Sequence, residues 1–219
     1  MKALLAVVAG IALGTALTLG LVMPRVEARA GESAPRFPEF KMEQLNDQQR
    51  PLGEKILKVS STGTLSGPNN LMLRSPEMGD QAQKLGAQLR FHSSLPDKLR
   101  ELAIIMTARS WNAQYEWYAH KRLALQVGLS PALIDAIAAG KRPASMEPDV
   151  EAAYDFASEL LKTKQVSDGT FHAAVAKLGE RGVVDLTALM GYYHMVSMLL
   201  NIDRYPLPDG VQPELKPLP

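Results

Sequence analysis

Apolar residues recur at helical spacing through most of this 219-residue chain. In the segment 100–109, Leu102, Ile105 and Met106 fall at i, i+3 and i+4, which places them on one face of a helix. No stretch of the sequence shows a competing strand pattern of alternating apolar and polar residues. The sequence therefore predicts an all-α fold, with helices at about 47–60, 77–91, 100–109, 112–127, 131–140, 150–164, 170–178 and 183–201.

Capping and breaking residues mark several of the predicted helix ends. Ser130 followed by Pro131 is typical of a helix start, with serine as the N-cap and proline in the first turn. Asp149 is predicted to cap the helix at 150–164. Gly179 and Gly182 predict a turn between the last two helices.

The first 30 residues have the pattern of a secretory signal. Lys2 precedes an apolar run from Ala3 to Met23, and Ala28-Arg29-Ala30 resembles a cleavage site, so we expect cleavage after Ala30. The run is also just long enough to span a bilayer, so an uncleaved N-terminal membrane anchor is the alternative. Both arrangements predict that the folded part is periplasmic or secreted. The remaining sequence is divided into an extended leader at 31–45, a helical domain at 46–205 and a proline-rich tail at 206–219.

Charge and cysteine content exclude several classes of function. The formal net charge is +1, and no block of basic residues with interleaved aromatics occurs, so we expect no nucleic-acid partner. The chain contains no cysteine, which excludes disulfides, thiolate nucleophiles and Cys-x-x-Cys redox chemistry. Contact with a membrane is expected only if the N-terminal segment is uncleaved.

The segment 100–120 has the densest set of side chains that could take part in catalysis. Glu116 and His120 are four residues apart, so on a helix they share one face. A carboxylate beside an imidazole can act in general acid–base catalysis. The alternative is a surface ion pair that contributes only a little to helix stability. The pair supplies two metal ligands and no third is visible, so we expect no metal site.

Glu101, Ala113-Gln-Tyr-Glu116 and His120 resemble the core motif of the carboxymuconolactone decarboxylase and alkyl hydroperoxidase D superfamily. In the peroxidase branch of that superfamily, the motif reads Glu, eleven residues, Cys-x-x-Cys, three residues, His. In this sequence Ala113 and Glu116 occupy the two cysteine positions, while Glu101 and His120 match the flanking residues. The chain is therefore similar to the cysteine-free, decarboxylase-like branch.

The resemblance runs from about Gly67 to about Pro208. It implies an alkyl hydroperoxidase D-like helical domain that assembles as a homo-oligomer, a trimer or a hexamer. It also implies cofactor-free acid–base chemistry, decarboxylation or a related proton transfer, on a small carboxylated or lactone substrate. One alternative is an antioxidant hydroperoxidase with peroxiredoxin-type activity, which the absence of cysteine disfavours. The other is a non-enzymatic helical oligomer that binds a small molecule.

The resemblance and the side-chain chemistry together predict roles for the residues in and around this motif. His120 and Glu116 are predicted to transfer protons, and Glu101 is predicted to orient the imidazole, so these three are the candidate catalytic residues. Arg109 is the predicted anchor for a substrate carboxylate, because its fork suits bidentate contact; a structural ion pair is the alternative. The side chains expected to wall the substrate site, with core packing as the alternative, are Trp117, Tyr115, Tyr193 and His194.

Overall fold

The computed structural model describes residues 34–59 and 63–217, and in these residues helices are joined by loops without any strand. This confirms the predicted all-α fold. The predicted signal or anchor at 1–30 lies outside the described residues. In chain order the helices are α1 Arg50–Val59, α2 Pro68–Met72, α3 Pro76–Phe91, α4 Asp97–Ser110, α5 Gln114–Gln126, α6 Pro131–Ala138, α7 Pro148–Thr163 and α8 Asp168–Asp203, preceded by a single 3-10 turn at Met42–Gln44.

Helix α4 forms the centre of the fold. It packs against α5, α6, α7 and α8, and almost every side chain from Leu99 to Arg109 is buried. A helix that is covered on all sides is normally apolar all round. Helix α4 instead carries Glu101, Thr107 and Arg109 into the interior. Each of these polar groups therefore needs a partner inside the protein.

The structure confirms one of the two predicted N-cap residues and not the other. The Ser130 hydroxyl accepts a hydrogen bond from a backbone N–H in the first turn of α6, as predicted. Asp149 is not the cap of α7, because Glu147 holds the N-cap position and Pro148 begins the helix. Proline is well suited to that first position because it has no N–H to satisfy. At Gly179 the backbone has φ 72° and kinks α8, so the predicted turn takes the form of a break between two helical segments.

Helix α8 is apolar enough over 18 residues to match the composition of a membrane span. In the fold, however, it packs against α2, α3, α4, α5 and α7. Its buried side chains, among them Leu186, Leu189 and Val196, belong to the main hydrophobic core. The apolar composition of α8 is therefore explained by its place as a core helix.

The leader packs on helices of its own chain. The backbone N–H of Phe37 donates to Asp203 Oδ1 at 2.8 Å, at the end of α8. The backbone N–H of Phe40 donates to Asn70 Oδ1 at 3.1 Å, in α2. The Arg74 guanidinium stacks over both phenylalanine rings, 4.8 Å and 4.4 Å from their centroids. These contacts fix the described part of the leader beside α2 and α8.

The proline-rich tail is also docked rather than free. The Gln114 side-chain amide forms two hydrogen bonds with the backbone of Leu215, one to its carbonyl at 2.7 Å and one from its N–H at 3.2 Å. The Leu215 side chain is 4% exposed and joins the main core. Because Gln114 is the first residue of α5, the tail holds the start of the helix that carries Glu116 and His120.

Candidate active site

His120 lies between two buried carboxylates. Its Nδ1 is 2.7 Å from Glu101 Oε2, and its Nε2 is 3.0 Å from Glu116 Oε1. Glu116 and His120 share one face of α5, as their spacing predicts, and Glu101 reaches them from α4. The exposed fractions are 9% for Glu101, 6% for His120 and 4% for Glu116. The structure thus brings the three candidate catalytic residues together.

The two carboxylates determine the charge of His120. Burial alone lowers the pKa of an imidazole, because it penalises the charged form. The charges and hydrogen bonds of Glu116 and Glu101 outweigh burial and raise the pKa of His120 to about 9. At neutral pH, His120 is therefore an imidazolium that donates one N–H to each carboxylate.

This arrangement suits proton transfer better than metal binding. In residues 34–59 and 63–217, no cluster of three or more His, Asp or Glu side chains could hold a metal ion. A proton can instead move along the short contact from His120 Nε2 to Glu116 Oε1 and back.

Glu116 and His120 line a cavity of about 440 Å³, which we call the His120 cavity; Glu101 lies behind it. Helices α1, α2, α3, α5 and α8 enclose the cavity. A concave, mostly apolar wall with a few converging polar groups is typical of small-molecule sites. Among the described residues, Glu116 is the one acid that lines it. The other polar side chains on the wall are Asn69, Gln83, Arg90, Tyr115, Tyr192 and Tyr193.

Two tyrosines of α8 pack beside His120. The rings of Tyr193 and His120 meet edge to face with 5.1 Å between centroids, and Tyr192 meets Tyr193 in the same way at 5.3 Å. Burial raises the pKa of Tyr193 well above 10 and that of Tyr192 to about 12, so both hydroxyls stay neutral. Gly86 makes room for Tyr192, because a Cβ at that position would lie 2.5 Å from the tyrosine hydroxyl.

Arg90 is a cavity residue that the sequence analysis missed. It is half-buried in the last turn of α3. Its guanidinium lies 5.1 Å from the centroid of the Phe91 ring, and no described residue forms a hydrogen bond or ion pair with it. Helical spacing could have indicated Arg90, because it lies seven residues after Gln83 and four after Gly86. These three residues form one face of α3 that has no large apolar side chain. That spacing could not reveal what the face lies against.

Arg109 is buried on α4 but does not line the His120 cavity. Its Nη1 donates to Asn112 Oδ1 at 2.6 Å, and its Nη2 donates to the carbonyl of Lys216 at 2.8 Å. These bonds join α4 to the α4–α5 turn and to the tail. The arginine inside the His120 cavity is Arg90, so the anchoring role predicted for Arg109 does not fit this cavity.

The predicted aromatic wall is split between the cavity and the rest of the protein. Tyr115 and Tyr193 line the His120 cavity, whereas Trp117 and His194 do not. Trp117 is 1% exposed within the main core, and its indole N–H donates to a carboxylate of the tail at 3.2 Å. His194 accepts a hydrogen bond from the indole N–H of Trp111. For Trp117, core packing describes the observed position.

The chain matches a known family over the region that supplies this site. Residues 76–159 match the model of the carboxymuconolactone decarboxylase family, and the matched segment contains Glu101, Glu116 and His120. Solved structures of AhpD-like proteins share the fold. Residues 76–159 therefore resemble the carboxymuconolactone decarboxylase family, and the fold is AhpD-like. No curated protein matches the sequence.

Three solved structures show how far this fold extends along the chain. The first is the alkylhydroperoxidase AhpD core of an uncharacterized peroxidase-related protein from Ralstonia eutropha, with a TM-score of 0.68, 19% identity and coverage of 81% of this chain and 94% of that one. An uncharacterized peroxidase-related protein from Silicibacter sp. has a TM-score of 0.62, 15% identity and coverage of 80% and 93%. A protein of unknown function from Agrobacterium tumefaciens has a TM-score of 0.57, 16% identity and coverage of 64% and 96%. At these identities, the likeness shows the fold alone.

The raised pKa of His120 predicts a specific dependence of stability on pH. A histidine with a pKa of 6.5 when unfolded and about 9 when folded stabilises the folded state fully below pH 6.5. That contribution falls by up to about 3 kcal/mol as the pH rises through about 9.

Chemical denaturation of the wild type at several pH values should show this loss, and the variant His120→Gln should lack it in the same pH window. The exposed His172→Gln variant is the matched control and should behave like the wild type. A wild-type free energy of unfolding that is constant from pH 6.5 to 9 would contradict the assignment.

Proposed function

We propose that the protein catalyses cofactor-free acid–base chemistry, a decarboxylation or a related proton transfer, on a small carboxylated or lactone substrate in the His120 cavity. One observation carries this proposal: His120 is held by both ring nitrogens between two buried carboxylates, and one of them, Glu116, lines the cavity. Such a site can hold a proton and deliver it without a metal or an organic cofactor.

Glu116 is the group that contacts the substrate in this proposal. Both ring nitrogens of His120 are engaged by carboxylates, so a proton reaches the cavity most directly through Glu116. His120 accounts for the one hydrogen bond of the Glu116 side chain among the described residues, through Oε1. The second oxygen of Glu116 is therefore available to the substrate. Glu101, behind the cavity, keeps His120 charged and oriented as the proton moves.

The decarboxylation can be written with these groups alone. The bond between carbon and the leaving carboxylate breaks, carbon dioxide departs, and the electron pair moves into a conjugated carbonyl to form a dienolate. His120 protonates Glu116, and Glu116 then delivers that proton to carbon. Solvent returns a proton to His120 and completes the cycle. Neutral Tyr192 or Tyr193 can donate a hydrogen bond to the developing oxyanion, because each keeps its proton at physiological pH.

Arg90 supports a negatively charged substrate. It is a cavity arginine without a carboxylate partner among the described residues, and its planar fork suits a carboxylate. A cation bound to the departing carboxylate would stabilise the reactant and slow its loss. Arg90 is therefore better suited to a second carboxylate, or to the enolate oxygen on which charge grows.

A peroxidase activity has less support, although two of the solved structures with this fold are peroxidase-related proteins. A thiol peroxidase needs a cysteine thiolate, and the chain has no cysteine. Ala113, at one of the two cysteine positions of the motif, is the N-cap residue of α5. A methyl group there cannot replace the redox chemistry of a thiolate.

The proposal is tested by following both carbon dioxide release and solvent deuterium incorporation over a panel of small unsaturated and lactone acids. Glu116→Gln and His120→Gln should each lower kcat at least about 100-fold, because each removes proton transfer. Arg90→Met should mainly raise KM, because it removes a charged contact that holds the substrate.

Matched surface variants control for nonspecific effects in this assay. Arg122 and Glu180 are exposed and unpaired among the described residues, so Arg122→Met and Glu180→Gln should stay within roughly twofold of the wild type. Full turnover by Glu116→Gln would contradict the mechanism. Saturable binding of an acid without release or exchange would favour the binding-protein alternative, and peroxide consumption with a dithiol donor would favour the hydroperoxidase.

We also propose that the protein is exported and self-associates. The pattern of residues 1–30 supports export, and the superfamily resemblance supports a trimer or a hexamer. Val59 and Phe91 line the His120 cavity and are 80% and 67% exposed, which a neighbouring subunit would cover. Light scattering of the exported protein should show a trimer or a hexamer. N-terminal sequencing of the same protein should show that the chain begins at Gly31. Phe91→Glu should dissociate it and the control Phe171→Glu should not; a monomeric wild type would contradict the assembly.

A further inference from the structure

A second cavity, of about 250 Å³, has no lining residue in common with the His120 cavity. Its charged lining residues are Arg109, Lys141 and Lys162, and no acid of the described chain lines it. Met106, Ile137 and Leu161 provide apolar surface in the same cavity. We call it the Arg109 cavity.

Arg109 carries a buried positive charge without a countercharge. The side chain is 5% exposed, and its two hydrogen bonds go to a neutral amide and a backbone carbonyl. Its Nε is buried and has no partner among the described residues. Burying an unpaired ion costs free energy that a bound anion would offset. Arg109 therefore supplies an uncompensated positive charge to the wall of the cavity.

The two lysines of the cavity are also unpaired in the described part of the chain. The acidic side chains Glu151, Asp155 and Glu159 of the neighbouring helix α7 bind other groups. Arg142 binds Glu151 and Asp155 at 2.8 Å and 2.9 Å, and Glu159 accepts a hydrogen bond from the backbone N–H of Ser167 at 2.9 Å. No ion pair with an acid of the described chain neutralises these three cations; Asp135 and Glu214 lie with Arg109 along an adjacent cavity.

We propose that the Arg109 cavity binds a small organic anion, a monocarboxylate with an aromatic or short aliphatic body. The three cations would bind the carboxylate, and the apolar surface formed by Met106, Ile137 and Leu161 would contact the body. A fully polar anion such as phosphate would leave that apolar surface without a partner. The volume limits the ligand to about one ring. This site is independent of the reaction proposed for the His120 cavity.

The test uses para-fluorobenzoate as the probe and para-fluorobenzamide as its neutral counterpart, with binding to the full mature chain followed by fluorine NMR and calorimetry. The benzoate should bind saturably, and the benzamide at least about tenfold more weakly, because it lacks the charge. The double variant Lys141→Met, Lys162→Met should weaken benzoate binding about tenfold. Ser158→Trp, which fills the cavity, should abolish it.

Two variants distinguish this site from other positions on the protein. Lys177 and Arg122 are exposed and unpaired among the described residues, so Lys177→Met and Arg122→Met should each bind the benzoate like the wild type. Circular dichroism melting checks that each variant is folded. Equal affinity for the benzamide, unchanged binding by a folded double variant, or loss of binding in Arg122→Met would each overturn the proposal. Absence of saturable binding by the wild type would also overturn it.

Discussion

The contact of one imidazolium with two buried carboxylates is the interaction on which the rest of this structure depends. Glu101 on α4 and Glu116 on α5 are both buried, and His120 between them is the cation that pairs with each. Removing one partner of a buried ion pair typically costs about 3–5 kcal/mol. The contact therefore fixes the register of α4 against α5 and also prepares a proton for transfer. Stability and proposed chemistry use the same three side chains.

The surrounding elements hold this contact from several directions. The tail is bound at the first turn of α5 through Gln114, and Trp117, next to Glu116 in sequence, donates to Glu214 of the tail. On another side, the Tyr193 ring of α8 packs edge to face against His120. Because α5 is held at its start and α8 covers the imidazole, the geometry of the site follows from packing distant in sequence. The Arg109 bonds to Asn112 and to the tail belong to the same scaffold.

Local sequence patterns predicted much of the fold and part of the site. Most helix positions, the Ser130 cap and the break near Gly179 depend on neighbours within a few residues, and the structure confirms them. The short helix α2 at Pro68–Met72 lies outside the predicted helices. The shared face of Glu116 and His120 follows from helical periodicity alone. The spacing of Glu101 came from the motif, whose resemblance to the superfamily is confirmed by the family match.

Other features depend on contacts between elements, which spacing does not encode. Arg90 reaches the His120 cavity because α3 packs beside α8, whereas Arg109, in the more promising segment, serves another cavity. Trp117 looked like a cavity wall because it adjoins Glu116, but neighbours in a helix point to different sides. The proline content of residues 206–219 indicated a tail but did not reveal that Leu215 packs in the core.

The stability of the site and its proposed chemistry both require His120 to be an imidazolium at neutral pH, held between Glu101 and Glu116. Nitrogen NMR of protein labelled at histidine tests it directly, with the signal assigned by its absence in His120→Gln. Both ring nitrogens of His120 should carry protons at neutral pH, and the charged form should be lost only near pH 9. A His120 that titrates near its ordinary pKa of 6.5, or that shows one bare nitrogen at pH 7, would contradict it.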